Sequence, residues 1–300
     1  MIMITVSDVM TGTVIKAISG FYYVSADETV FECKARGSFR LAKVSPIVGD
    51  MVEFRAEGEN KGVIERILPR RNCLERPLVA NIDKLIIVSS FATPAPDTYL
   101  IDRLSAIAVF NNIKPVIVFN KSDTGDFTEY YRIYKNAGFS VYVVSVFNPK
   151  ELLPLKSEFK NCVCAMAGNT GVGKSSLLNA LFPGFDLKTG EVSNALGRGR
   201  HTTRHTELLK NASGGFVIDT PGFSSIEQIE RRYEFKQKLC DCFEDFLPFS
   251  GSCRFSDCTH ISEMGCGVLA AVESGKIEKS RHNSYVMLFE ELKGANNWEK

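Results

Sequence analysis

Gly168-Asn169-Thr170-Gly171-Val172-Gly173-Lys174-Ser175 fits the phosphate-loop pattern GxxxxGK[ST], and the apolar run Cys162-Val163-Cys164-Ala165-Met166-Ala167 before it reads as a buried strand. A helix over Lys174–Phe182, with Ser176 in its first turn, completes the order of strand, loop and helix. In that setting the glycines let the backbone wrap a phosphate chain, and the amides at the helix N-terminus face the anion. Lys174 adds a positive charge and the Ser175 hydroxyl is placed to ligate Mg²⁺. The stretch implies a nucleoside triphosphate.

Upstream, Lys84-Leu85-Ile86-Ile87-Val88-Ser89 is a continuous apolar run suited to a strand buried on both faces. A helical stripe of Leu100, Leu104, Ile107 and Ala108 follows, and then the strand Pro115-Val116-Ile117-Val118-Phe119. That strand ends in Asn120-Lys121-Ser122-Asp123, the NKxD pattern that reads guanine. The Asp123 carboxylate can accept from both the ring N–H and the exocyclic amine of guanine, a pair that adenine lacks. Asn120 and Lys121 brace the loop and cover the base. A helix over 128–136 and a strand over 140–144 come next, ending at Ser145, a small residue placed against the guanine.

Downstream of the phosphate loop lies a glycine- and arginine-rich connector from Thr189 to Arg204, a poor core element that reads as a mobile switch. Thr203, with Thr202 close behind, is the first choice to complete the Mg²⁺ shell. Gly215-Phe216-Val217-Ile218-Asp219-Thr220-Pro221-Gly222 then reads as a strand ending in DxxG. There Asp219 would hold Mg²⁺ through water and the Gly222 amide would sense the γ-phosphate. The base-reading element precedes the phosphate loop, the reverse of the usual order, and a circularly permuted GTPase domain beginning near Lys84 accounts for that.

The two ends carry other material. From Thr11 to Arg76, five short strands (13–18, 21–24, 29–33, 50–54 and 62–67) predict a small closed barrel of the oligonucleotide-binding (OB) type. Phe21, Tyr22 and Phe31 either stack on RNA bases or fill the barrel. Arg66, Arg70, Arg71 and Arg76 form a basic cluster that a solvated charged face explains equally well. Near the C-terminus, Cys253, Cys258, His260 and Cys266 follow C-x4-C-x-H-x5-C, the complement of a closed tetrahedral zinc site, with Cys240 and Cys242 left as core or surface thiols. Lys276, Lys279, Arg281 and His282 fall on a predicted helix and are read as a second RNA-facing patch.

Composition sets the outer limits. The 300 residues carry a net charge of +1, so a nucleic-acid partner must be argued from local patches. Nine cysteines, an odd number, without an export signal favour metal ligation over disulfides. There is no apolar run long enough to span a bilayer, which predicts a cytoplasmic protein, and no repeat or heptad argues against a monomer.

The barrel, NKSD ahead of GNTGVGKSS, the connector TGEVSNALGRGRHTTRHTEL, DTPGF and the zinc pattern together resemble the ribosome small-subunit-dependent GTPase family (RsgA, also called YjeQ). The resemblance implies a multidomain chain: an OB-type barrel over 1–76, a permuted α/β GTPase over 77–225 and a mainly helical zinc-binding domain over 226–300. It implies GTP hydrolysis that is slow alone and stimulated by the small ribosomal subunit, contact with ribosomal RNA, and release of assembly factors late in subunit maturation. Phe223 stands where many GTPases place a water-orienting glutamine, and the resemblance points to His201 as the substitute, with His205 less favoured. A solvent-facing or RNA-contacting His201 stays open, as does a GTP-dependent RNA-binding scaffold acting on another translation component.

Overall fold

The computed structural model describes residues 9–37, 39, 44–75, 77–91, 95–187, 206–219 and 232–294. They fall into two compact units, one drawn from 1–83, 159–165 and 193–223, the other from 84–158, 166–192 and 224–300.

In the first unit, β1 (Val9–Ile18), β2 (Phe21–Ala26), β3 (Thr29–Ala35), β4 (Met51–Ala56) and β5 (Lys61–Ile67) pair in the order β1-β2-β3-β5-β4, and β4 returns to β1. This closes a five-stranded barrel, with no free edge among the described residues. Alternation along the strands turns Val14, Val24, Phe31, Val52, Phe54 and Ile64 inward, with the Phe31 and Phe54 rings 5.0 Å apart. Phe31 therefore fills the barrel, Tyr22 packs partly against that core, and Phe21 lies half-buried under Lys34 Nζ at 5.2 Å. A short hairpin of β6 (Cys73–Glu75) and β7 (Leu78–Ala80) follows. The same unit holds β12 (Glu207–Lys210), antiparallel to β13 (Phe216–Asp219), while β13 runs parallel to β11 (Val163–Ala167) at Val163 and Cys164, and β12 also meets β1 at Lys16 and Glu207.

The arginine cluster is paired with carboxylates. Arg66 Nε donates to Glu53 at 2.9 Å, Arg70 binds both oxygens of the fully buried Asp50 at 2.7 and 2.8 Å, and Arg71 bonds Asp83. Arg76 lies outside the described residues. Three of the four cations are thus paired with carboxylates of the same unit.

In the second unit, β8 (Lys84–Ser90), β9 (Lys114–Asn120) and β10 (Ser140–Val144) run parallel in the order β10-β9-β8. Every residue of β8 after Lys84 is buried, as a strand covered on both faces requires. Helices α1 (Thr98–Phe110), α2 (Thr128–Asn136) and α3 (Pro149–Ser157) alternate with the strands. After the phosphate loop comes α4 (Lys174–Leu181), and the C-terminal region adds α5 (Arg232–Gln237), α6 (Leu247–Ser250), α7 (Gly267–Glu273) and α8 (Lys279–Glu291).

Helix α8 corrects the sequence reading. Arg281 and His282 do not face solvent: Arg281 is 1% exposed and donates to Asp102 at 2.7 Å and Asp245 at 2.6 Å. Its guanidinium also lies over the rings of Phe243 (4.7 Å) and Phe139 (5.1 Å). His282 is buried, its Nε2 2.7 Å from the carbonyl of His260, and only Lys276 and Lys279 of that group are exposed. Tyr99 and Arg103 of α1 both bond Glu291, so polar contacts flank the buried ion pair where α1 meets α8. Arg281→Met leaves Asp102 buried without its cation and is expected to cost about 3–5 kcal/mol in urea unfolding. Adding Asp102→Leu is expected to return part of that loss, and a single variant as stable as the parent contradicts the assignment.

Candidate functional site

The GNTGVGKS loop and the NKSD loop meet through side chains of the second. Asn120, buried at the end of β9, donates from Nδ2 to the carbonyl of Val172 at 2.9 Å, and Lys121 Nζ reaches the carbonyl of Gly171 at 2.9 Å. Lys121 adopts a left-handed conformation (φ 63°), which turns the chain into the short 3₁₀ turn over Ser122–Thr124. Asp123 is exposed at that turn, and Ser145 Oγ donates to its Oδ1 at 2.6 Å. Asn169, Thr170 and Gly171 lie exposed at the tip of the phosphate loop, and Lys174 Nζ bonds the carbonyls of Gly168 and Asn169 at 2.7 and 2.9 Å. Ser175 and Ser176 sit half-exposed in the first turn of α4.

Two glycines let the phosphate loop pack closely, Gly168 against β8 and Gly173 against Asn120. A Cβ on Gly168 (φ +126°) would stand 2.0 Å from the carbonyl oxygen of Val88, and one on Gly173 (φ +92°) 2.5 Å from Asn120 Nδ2. Gly173→Ala is therefore expected to push Asn120 off the loop and weaken GDP binding about tenfold or more, as read by titration with a fluorescent nucleotide. Unchanged affinity would contradict the role given to this contact.

Asn120 Oδ1 is also buried with no hydrogen-bond partner among the described residues. That unpaired acceptor, together with an exposed carboxylate and a lysine on loop carbonyls, suits a polar ligand and fits the nucleotide implied by the motifs. Asp219 ends β13, where it pairs in register with Glu207. Gly222 and Phe223 lie outside the described residues, as do the connector residues His201, Thr202, Thr203 and His205.

A second constellation lies near the C-terminus. One ligand atom each from Cys253, Cys258, His260 and Cys266 falls within 4.8 Å of all the others. Cys253 Sγ is 3.8 Å from Cys266 Sγ, and His260 Nδ1 is 3.4 Å from both sulfurs. A tetrahedron with ordinary zinc bond lengths has edges of about 3.8 Å between sulfurs and about 3.5 Å between sulfur and nitrogen, so the donor set fits zinc.

The surroundings suit charged thiolates and a neutral imidazole. The amides of Gly267 and Leu269 donate to Cys253 and Cys266 at 3.3 and 3.4 Å, and burial lowers the His260 pKa. Glu263 accepts from the amides of Thr259, Ile261 and Ser262 and fastens the turn between the ligands. Although burial raises its pKa, the Thr259 hydroxyl and these amides hold it at about 2. Cys240 and Cys242 stay outside this set, and burial raises both thiols, to about 11 and about 12.

Sequence reasoning missed α3 and what it carries. Glu151 in its first turn accepts from Ser122 Oγ at 2.9 Å, the Ser145 amide at 2.8 Å and Asn148 Nδ2 at 2.7 Å. Asn148-Pro149-Lys150-Glu151 was the available signal: an N-cap asparagine, a proline at the first helical position and a glutamate two residues later.

Comparison with known proteins gives a consistent result. Residues 67–229 match the RsgA GTPase domain and residues 11–64 the RsgA N-terminal domain. The "Small ribosomal subunit biogenesis GTPase RsgA" of Bacillus cytotoxicus is 42% identical over 288 residues, covering 94% of this chain and 97% of that relative. The protein of the same name from a Geobacillus species is 44% identical over the same shares. Among solved structures, YloQ, described as a circularly permuted GTPase, superposes with a TM-score of 0.82 at 35% identity and 98% coverage of both chains. YjeQ from Thermotoga maritima gives 0.80 at 35% identity, covering 96% of this chain and all of its own. Among the described residues, no helix is long and apolar enough to cross a membrane.

Proposed function

The chain belongs to the RsgA family of circularly permuted GTPases, and from that premise we propose that it hydrolyses GTP as a timed signal in the maturation of the small ribosomal subunit. The observation that carries this reading is the coupling of two loops. Asn120 and Lys121 of the base-reading element are bonded to Val172 and Gly171 of a phosphate loop that follows them in the chain.

Each part then has a chemical task. Asp123 selects guanine, Asn120 and Lys121 cover the base with Ser122 and Ser145 shaping its edge, and the backbone of Gly168–Ser175 wraps the phosphates. Lys174 moves from the loop carbonyls to the phosphate oxygens and offsets the charge that builds up as the γ-phosphoryl group departs. Ser175 and Thr203 would hold Mg²⁺, which supplies further charge neutralisation, while Asp219 would hold the metal through water and the Gly222 amide would sense the γ-phosphate. His201 orients the attacking water when the connector is ordered on the ribosome, replacing the glutamine that Phe223 excludes. The barrel (1–76), the GTPase part (77–225) and the C-terminal part (226–300) act as three functional segments, with zinc structural because its four ligands leave no open position.

The partners proposed are the small subunit with its RNA and the assembly factors that leave it, with the protein acting as a cytoplasmic monomer. The test compares GTP turnover alone and with purified small subunits, alongside co-sedimentation in a non-hydrolysable GTP analogue and in GDP. Stimulated turnover and tighter association in the analogue are expected. Equal rates with and without subunits overturn the proposal.

A further inference from the structure

We propose that Glu151 is a positioning residue of the base pocket, and that it sets how strongly guanine is preferred over a purine lacking the exocyclic amine. One carboxylate holds both loops that meet at Asp123. Its Oε2 accepts from Ser122 Oγ, inside the NKSD turn, at 2.9 Å and from the amide of Ser145 at 2.8 Å. Ser145 in turn donates its hydroxyl to Asp123 Oδ1 at 2.6 Å and accepts from the Phe147 amide at 3.3 Å. The orientation of the base-reading carboxylate thus runs back, through Ser122 on one side and Ser145 on the other, to a single side chain on α3.

A helix cap alone does not account for this geometry. Capping explains the bond between Glu151 Oε1 and Asn148 Nδ2 at 2.7 Å, but both bonds to Oε2 go to the base-reading loops. Among the described residues Glu151 makes no ion pair, so its charge faces three neutral donors, an arrangement that strengthens each bond. Asp123 is exposed and needs such a frame, because reading guanine requires both its oxygens to meet two donors at once. Loosening the frame harms that two-point contact more than it harms binding of a base with one donor. The inference rests on Asp123 as the base reader.

The experiment measures the dissociation constants of GDP and IDP, whose base lacks the amine, for the full chain and for E151A, E151Q and S122A, with thermal unfolding in parallel. The parent is expected to prefer GDP. E151A is expected to lose about tenfold in GDP affinity but less for IDP, so that the preference narrows about fivefold. E151Q keeps an oxygen toward Ser122 and Ser145 and is expected to hold the preference within about twofold of the parent. A helix-capping role alone would lower the unfolding temperature without moving the ratio.

An unchanged IDP to GDP ratio in E151A, or a glutamine variant that behaves like the alanine one, overturns the proposal. Should E151A fail to fold, S122A decides: it removes one bond and leaves the cap intact, and its ratio must narrow about twofold or more. A parent that does not distinguish GDP from IDP would instead remove the base-reading assignment of Asp123, and this inference with it.

Discussion

Asp123→Asn is expected to weaken GDP binding by about 100-fold or more and to make xanthosine diphosphate the better ligand. Guanine presents two donors on this edge, the ring N–H and the exocyclic amine, and a carboxylate accepts both. An amide offers one acceptor and one donor. Losing one hydrogen bond to a charged group and setting a donor against a donor removes about 3–4 kcal/mol, and each 1.4 kcal/mol is tenfold in affinity. Xanthine carries a carbonyl in place of the amine, so the same amide matches it. Ser145 Oγ donates to Asp123 Oδ1 at 2.6 Å, and an amide oxygen keeps that bond and turns its nitrogen toward the base. Competition between the two diphosphates against a fluorescent nucleotide reads the exchange directly. A variant that still prefers GDP removes Asp123 from the base site.

Short-range chemistry was the part of this molecule open to sequence reasoning. The phosphate loop, the NKSD turn and the cysteine–histidine run are each written within a few adjacent residues, because a turn of fixed geometry needs particular residues at fixed offsets. The strands beside them carry continuous apolar runs, as in β8, and the five strands of the barrel were legible from alternation and turn residues.

Long-range partners were not legible. Arg281 and His282 read as a basic stripe on a helix, and nothing nearby in the sequence announces that Asp102, in a helix of the α/β region, is waiting for the guanidinium. Likewise Arg70 finds Asp50 across a turn of the barrel, and Glu151 finds Ser122 across the base pocket. Helix α3 itself was faint because it buries only Leu152 and Leu155 and carries Pro154 inside, leaving too weak a stripe to detect. The hairpin of β6 and β7 was missed for a related reason, its strands being three residues each on either side of Pro77.

Replacing Cys266 by serine is expected to abolish stoichiometric zinc and to unfold the C-terminal region at temperatures where the base and phosphate loops remain intact. Cys266 is tightly held within the candidate ligand set: its side chain is buried, it lies 3.8 Å from Cys253 Sγ and 3.4 Å from His260 Nδ1, and its sulfur caps α7 through the Leu269 amide. The turn it closes is a structural anchor. His282 bonds the carbonyl of His260 at 2.7 Å and Tyr285 the carbonyl of Thr259 at 2.9 Å, and Tyr285 packs against Phe243 and Phe246 with ring centroids 5.2 Å apart. Loss of the cluster therefore loosens the turn that His282 and Tyr285 of α8 are bonded to. Structural zinc contributes about 10–16 kcal/mol of apparent binding energy at neutral pH, far more than a small helical region has in reserve. The expected readouts are one zinc per parent chain by elemental analysis, close to none in the variant, and a fall of at least about 10 °C in the first thermal transition. Because thiolates and a neutral imidazole are the binding forms, the parent should also lose zinc and reach the same low transition as pH falls, while the variant shows no such step. Full zinc occupancy in Cys266→Ser would remove this cysteine from the ligand set.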